Sequence, residues 1–302
     1  MKVYVTGGTG FVGRAVLREL LARGVSVRAL VRSGSERKLG KLLSRVEVVS
    51  GSVEDEDAHA KGLEGCASAI HLVGIIREFP SRGITYQRLH VQAVASLVSA
   101  LQDRGVKRLI HMSAQGARAD APARYHQSKW MGERLVRYSG LDWTLFRPSV
   151  ILGPEGEFSQ RLMAWAKRGI VPAPGGGKTR FQPIDADSVA RALADAALEQ
   201  GDRFIGKTYE VGGEEEITFR GLVSEMARLA GSRPPRFVSL PFFLLKSAAF
   251  LFQGWNSFPL TLDQIALMQE ENPKMDLKAF QTDFGITPVS LEQWLGPCLR
   301  GI

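Results

Sequence analysis

The stretch that decides the fold is Met1–Gly13, MKVYVTGGTGFVG. Val3, Tyr4 and Val5 are β-branched or aromatic, which predicts a short buried strand. Thr6-Gly7-Gly8-Thr9-Gly10-Phe11-Val12-Gly13 follows, then a helical pattern with Ala15, Val16, Leu17, Leu20 and Leu21 apolar. Strand, glycine turn and helix in that order make an anion site. Gly7 and Gly10 permit a tight turn and let the backbone approach a pyrophosphate. Gly13 lets the helix lie close to the strand, and the helix start offers unpaired N–H groups and a positive dipole end. The spacing is G-x-x-G-x-x-G rather than G-x-G-x-x-G.

Working outward, strand-like runs alternate with helical stretches. Val25–Val31, Val46–Val49, Ala69–Val73, Arg108–Met112 and Trp143–Phe146 read as strands, and Tyr86–Arg104 reads as a helix. Regular βαβ alternation predicts an α/β fold, a doubly wound parallel sheet of the Rossmann type. Its ligands would lie at the carboxyl ends of the strands. From Gly153 the rhythm changes, with Pro154, Gly156, Pro172, Pro174 and Gly175–Gly177 marking loops. Asp187-Ser188 can cap a helix at Val189–Leu198, Thr218 can cap one at Phe219–Ala230, and Tyr209–Gly212 reads as a short strand. The expected division is residues 1–150 as a dinucleotide-binding domain, with 183–200 returning to it. Residues 151–302 would form a smaller, mainly helical lobe.

The 302 residues are 44% hydrophobic and 23% charged, which are globular values. Cys66 and Cys298 lie far apart and offer neither metal spacing nor a disulfide framework. No apolar run reaches the roughly 20 residues of a membrane helix. A strand pattern starting at Lys2 leaves no signal peptide, so the expected location is the cytoplasm, with peripheral membrane attachment left open. The net charge of +8 comes from scattered Lys and Arg without a basic, aromatic-interleaved block, so no nucleic-acid partner is expected. Anionic cofactors, acidic lipid surfaces or acidic proteins fit it instead.

Arg32 closes the second strand, and no acid occupies Leu30–Ser35. An NAD site places Asp or Glu there, whereas a cation accommodates the 2′-phosphate of NADP. Ser33 can add a hydroxyl donor. NADP is therefore favoured over NAD. Tyr125 and Lys129, in Tyr125-His126-Gln127-Ser128-Lys129, share one helix face. An ammonium beside a phenol favours phenolate, so the tyrosine can exchange a proton.

These residues together resemble the short-chain dehydrogenase/reductase superfamily, in its extended or atypical branch. The resemblance rests on TGGTGFVG at 6–13, GVKRLIHMSAQGA at 105–117, YHQSK at 125–129 and RPSVILGP at 147–154. More narrowly, HMSAQGA followed by YHQSKWMGE, PAPGGGKTRFQPIDADSVA at 172–190 and PLTLDQIALMQEENP at 259–273 resemble the nucleotide-binding accessory subunit of respiratory complex I and its bacterial relatives. The resemblance implies that Gly7, Thr9, Gly10, Phe11, Val12 and Gly13 hold the pyrophosphate. Arg32 and Ser33 would meet the 2′-phosphate, Ser52 and Val53 would flank adenine, and Gly74 would pass the ribose. Tyr125 would be the acid/base with Lys129 its partner, and Pro148 would pack near the nicotinamide. Two departures stand out. Relatives often carry Gly-Asp where this chain has Gly51-Ser52, and Gln115 stands where many extended members place the hydroxyl that polarises a carbonyl. Ser113, twelve residues before Tyr125 as in simpler members, is the alternative polariser.

His71 and His111 sit in strand patterns and His90 in a helix pattern, where structural roles are expected. His126, next to Tyr125, is the histidine expected to serve a cleft. Arg147, Arg180 and Gln182 fall where relatives build a substrate pocket. Leu240–Phe252, LPFFLLKSAAFLF, is apolar nearly all round and too short to span a bilayer. It is either buried or applied to a membrane surface or membrane protein complex.

Two functions fit. One is NADP-dependent hydride transfer, oxidoreductase or epimerase-like, on a small-molecule substrate the sequence does not specify. The other is a cofactor-binding structural or assembly subunit of a membrane respiratory complex. The oligomeric state is open. If Arg32 meets the 2′-phosphate, Arg32→Ala lowers NADP affinity by about tenfold or more while NAD affinity holds. Titrating both dinucleotides checks this, and equal losses contradict the contact.

Overall fold

The computed structural model describes residues 1–252, 260–270, 274–290 and 292–293; Cys298 and the ends of the 259–273 stretch lie outside them. The first strands are β1 (Lys2–Thr6), β2 (Ser26–Val31), β3 (Glu47–Ser50), β4 (Ser68–His71), β5 (Arg108–Met112) and β6 (Asp142–Pro148). Then come β7 (Ile151–Leu152), β8 (Ile170–Pro174), β9 (Arg180–Phe181), β10 (Ile184–Asp185), β11 (Lys207–Val211), β12 (Ile217–Thr218) and β13 (Arg236–Leu240). The helices are α1 (Phe11–Ala22), α2 (Glu56–Leu63), α3 (Ala93–Asp103), α4 (Arg124–Arg137), α5 (Glu157–Arg168), α6 (Ala186–Leu198), α7 (Phe219–Leu229), α8 (Phe242–Phe252), α9 (Leu262–Gln269) and α10 (Lys278–Phe284).

Two compact units divide the chain. The first takes Met1–Pro148, Ala186–Val211 and Leu277–Ile286. It holds one parallel sheet of seven strands in the order β11-β6-β5-β4-β1-β2-β3. Strands covered on both faces are buried along their length, as Val3–Thr6 of β1 and all of β4 are. On one face Tyr4, Leu30, Leu63, Leu97, Leu101, Leu109, Val136 and Leu145 form a core under α2, α3 and α4. On the other, α1 packs against α6, whose Ala190, Ala192, Ala194, Ala196 and Ala197 are small enough for close approach. The chain winds outward from β1 to β3 and then crosses back to β4, so strand order reverses between β1 and β4. A crevice for ligands opens at such a reversal.

The second unit takes Ser149–Asp185, Gly212–Asp276 and Thr287–Ile302. Three two-stranded pairs, β7–β10, β8–β13 and β9–β12, accompany α5 and α7. Leu152, Leu162, Val171, Leu222, Val223 and Met226 make its core. Thr218 caps α7 as its sequence predicts, accepting a bond from the Gly221 N–H at 3.0 Å.

Gly7 adopts φ +77°, in the left-handed region, and its carbonyl accepts from the Gly10 N–H at 3.0 Å. A Cβ built on Gly13 would stand 2.2 Å from the Gly7 oxygen and 2.7 Å from Gly8 Cα. Backbone cannot yield as a side-chain tip can. Gly13→Ala is therefore expected to lower stability by about 1–3 kcal/mol, read as a lower urea midpoint; an unchanged midpoint contradicts this close approach.

Candidate functional site

Gly10 enters α1 without a side-chain cap, and the first turn carries no acid. The N–H groups of Phe11, Val12 and Gly13 lie in the turn that lacks intrahelical acceptors, beside a positive dipole end. Thr9 precedes them, and its carbonyl is held by the Arg14 guanidinium at 2.9 Å. The turn lies against the exit of β4, where a Cβ on Gly7 would meet the Leu72 carbonyl carbon at 2.9 Å. The cradle thus has backbone walls and open N–H donors, which fits a diphosphate.

Arg32 and Ser33 are exposed at the carboxyl end of β2. Beyond β3, a Cβ on Gly51 would press to 2.4 Å on Ala58. Ser52 donates to Glu54 at 3.2 Å, and Val53 is buried. Val53 also accepts from His59 Nε2 at 2.9 Å, which leaves His59 Nδ1 to accept from the Tyr4 hydroxyl at 2.9 Å. Glu54 takes two bonds from Arg88, at 2.6 and 2.7 Å.

Gly74 follows β4. A Cβ placed on it would lie 3.7 Å from His90 Nε2 and 3.9 Å from Lys129 Nζ. His90 sits on a π-helical turn, Gln87–Gln92, that leads into α3. The expected continuous α-helix over Tyr86–Arg104 is therefore widened by one turn. Ile75 N–H donates to His90 Nε2 at 3.0 Å. Nδ1 must then carry the proton, which it gives to Ser128 Oγ at 2.8 Å, and Ser128 donates to the Tyr125 carbonyl at 2.6 Å. Burial, with the Lys129 charge nearby, pushes His90 down to about 2, in keeping with a neutral ring. Tyr86 stacks on His90 at 5.3 Å, and Tyr125 meets both rings edge-on at 6.0 and 5.6 Å.

Lys129 is buried and donates to the Met112 carbonyl at 2.7 Å. Burial pulls its ammonium down to about 8, against the opposing Glu133 carboxylate. Burial also raises the half-buried Tyr125 phenol to about 12. Ser113 is buried at the end of β5; its N–H donates to Phe146 at 2.7 Å, and its hydroxyl has no partner among the described residues. Gln115 donates its N–H to Pro148 O at 2.9 Å, tying the loop after β5 to the end of β6. His126 packs under Gly116, where a Cβ would come within 2.9 Å of its ring.

Three residues read as pocket candidates are committed elsewhere. Arg147 grips the buried Glu133 carboxylate with two bonds of 2.7 Å. Arg180 pairs with Glu216 at 3.2 Å. Gln182 donates to Gly213 at 3.1 Å and accepts from the Met275 N–H at 2.6 Å. His71 bonds Thr6 at 2.7 Å and stacks on His111 at 5.3 Å, in parallel register on β4 and β5. No group of three His, Cys, Asp or Glu fit to hold a metal occurs among the described residues. What residue reading missed is the cluster of Tyr86, His90 and the Glu54–Arg88 clamp. Its contacts span from 10 to 38 residues, and no local pattern announces them.

A parallel sheet with a glycine turn and an uncapped helix start at its reversal point defines a dinucleotide-binding protein of the Rossmann class. The sequence pattern of the NAD(P)H-binding family matches residues 7–200, and the chain belongs to that family. It is 31% identical over 252 residues to the mitochondrial NADH dehydrogenase (ubiquinone) 1 alpha subcomplex subunit 9 of Arabidopsis thaliana, covering 81% of this chain and 61% of that protein. A 4-hydroxy-2-methyl-3-oxo-4-farnesyl-3,4-dihydroquinoline-1-oxide ketoreductase of Stigmatella aurantiaca is 31% identical over 120 residues, 40% of this chain and 35% of that one. The UDP-glucose 4-epimerase of Thermotoga maritima, solved with UDP-glucose, shares the fold at a TM-score of 0.75 and 21% identity, over 99% of this chain and 98% of that one.

His59, His71, His90 and His111 are all held below the usual histidine range by burial. Each binds a proton in the unfolded chain below about pH 6.5 but resists it when folded. The unfolded state then holds more protons, so stability falls as pH drops below that point, by up to about 1.4 kcal/mol per pH unit per histidine. Urea denaturation between pH 7 and pH 5 checks this; a flat profile contradicts it.

Proposed function

We propose that this protein binds NADP(H) across the carboxyl edge of its sheet and uses Tyr125 and Lys129 in hydride transfer to or from a small-molecule carbonyl or alcohol. Bound nicotinamide would supply the hydride. Gly7, Thr9, Gly10, Phe11, Val12 and Gly13 would hold the diphosphate, Arg32 and Ser33 the 2′-phosphate, Ser52 and Val53 the adenine. Gly74 would leave room for the ribose, and Pro148 would lie near the nicotinamide. The observation that carries the reading is the meeting of Gly74, His90 and Lys129 beside the Gly7 turn. A side chain longer than a methyl group at 74 would extend toward His90 and the Lys129 ammonium.

The chemistry of the pair favours one direction. A phenol at about 12 stays protonated at neutral pH, so Tyr125 suits giving a proton to a developing alkoxide. Lys129, at about 8, keeps its charge at that pH and can steady the same site. Ser113, with its hydroxyl unspent, is the candidate to polarise the carbonyl.

The second reading is a non-catalytic subunit that binds the dinucleotide and attaches to a membrane respiratory complex. Similarity to subunit 9 favours it, as does the exposure of Phe243, Phe250 and Leu251 on α8. No described helix is long and apolar enough to cross a membrane. A ligand bound only by the folded state stabilises it without turnover.

One experiment separates the two. Purified protein is washed, its retained dinucleotide measured, and NADPH consumption followed with quinone, aldehyde and sugar-nucleotide panels. The enzyme reading expects consumption that Tyr125→Phe abolishes while retention persists. Consumption unchanged by Tyr125→Phe removes the tyrosine from the mechanism. Retention with no consumption at all supports the subunit reading.

A further inference from the structure

We propose that the second unit docks on an anionic lipid bilayer through α8 and the β8–β13 pair; this rests on, and narrows, the membrane-associated reading above. A surface helix ordinarily turns its apolar stripe inward. In α8 the outward side is apolar: Phe243, Leu244, Phe250 and Leu251 are 68%, 54%, 72% and 70% exposed, and small Ala249 is the buried residue. These four fall with Ser247 on one broad side of the 3.6-residue turn, with Lys246 at its margin. Exposed apolar side chains also stand on the strand pair, where Ile170 is 61% and Val238 50% exposed.

The two parts are joined. β13 ends at Leu240, in register with Pro174 of β8. Phe242 then opens α8 with its ring against Gly175, where a Cβ would meet it at 2.2 Å. The Arg236 N–H donates to the Gly169 carbonyl at 2.8 Å, which brings the end of α5 to the same strands.

Charge selects the occupant. Residues 158–180 and 226–262 hold nine Lys or Arg and no Asp or Glu, so the cations the sequence scatters along the chain are unopposed within these two stretches. Arg161, Arg180 and Arg228 pair with Glu157, Glu216 and Glu225. Lys167, Arg168, Lys178, Arg233, Arg236 and Lys246 are exposed and form no ion pair among the described residues. A second copy would set like charges face to face. An anionic bilayer meets both halves of the surface at once, taking aromatic and leucine side chains at the headgroup boundary and drawing cations to its phosphates. Eleven residues cannot span the hydrocarbon, so α8 would lie in the plane of the interface.

The test is vesicle flotation with the full chain, using phosphatidylcholine alone or mixed with phosphatidylglycerol. Binding to the mixed vesicles that weakens with salt is the expected result. Lys246→Glu or Arg236→Glu should weaken it about fivefold or more. Phe250→Ser should weaken it about tenfold or more. Dinucleotide retention, measured on the same variants, should not change; its loss from the unaltered protein would count against the function proposed above and not against this surface. The inference is overturned if mixed vesicles do not bind, or if binding ignores Phe250 and the charge reversals. A dimer that Phe250→Ser dissolves, or Phe250-dependent capture by a detergent-solubilised membrane protein without vesicle binding, would also overturn it.

Discussion

Backbone pressed on backbone is the constraint from which the first unit's site follows. Gly7 turns in the left-handed region, its oxygen lies where a Gly13 side chain would begin, and the same residue abuts the exit of β4. Nothing with a Cβ fits at either place without shifting main chain. The result is a shallow, rigid floor at the one position where strand order reverses. Its open N–H groups are left for an anion, and Gly74, near His90 and Lys129, follows the strand exit that Gly7 abuts.

A neutral histidine joins the pieces. His90 accepts from the loop after β4 and donates towards α4, and both bonds require the same tautomer. Its ring nitrogens are therefore spent on Ile75, next to Gly74, and on Ser128, which in turn bonds the Tyr125 carbonyl. Protonating it would turn an acceptor into a donor aimed at the Ile75 N–H. The depressed basicity and the hydrogen-bond pattern describe the same fact from two directions.

Much of the fold was legible because its signals are local. The alternating apolar runs located β1 to β6 within a residue or two, and Thr218 marked the start of α7. The seventh strand was less plain: a strand near Tyr209 was visible, but its pairing with β6 joins residues about sixty apart. The π-helical turn was invisible, since Tyr86–Arg104 carries an ordinary helical pattern. The glycine turn was visible, and so were Tyr125 and Lys129 as candidates one helical turn apart on α4. The commitments of Arg147 to Glu133 and of Gln182 to Met275 were not, since an ion pair or an amide clasp between distant segments leaves no mark on either. Whether α8 is covered was a question of tertiary packing, which an all-round apolar helix cannot answer by itself.

The placement of α6 carries a consequence for biosynthesis. Six strands of the parallel sheet are complete by Pro148, yet α6, which covers one face together with α1, begins at Ala186, and the outer strand follows at Lys207. On the ribosome, which extends the chain by about 5–20 residues per second, that face waits several seconds for the rest of its cover. During that interval Ile70 of β4 and Ile110 of β5, on strands against which α6 packs and without solvent exposure in the finished protein, lack part of their cover. Burial of that face is thus completed only after the 149–185 stretch of the second unit has been made.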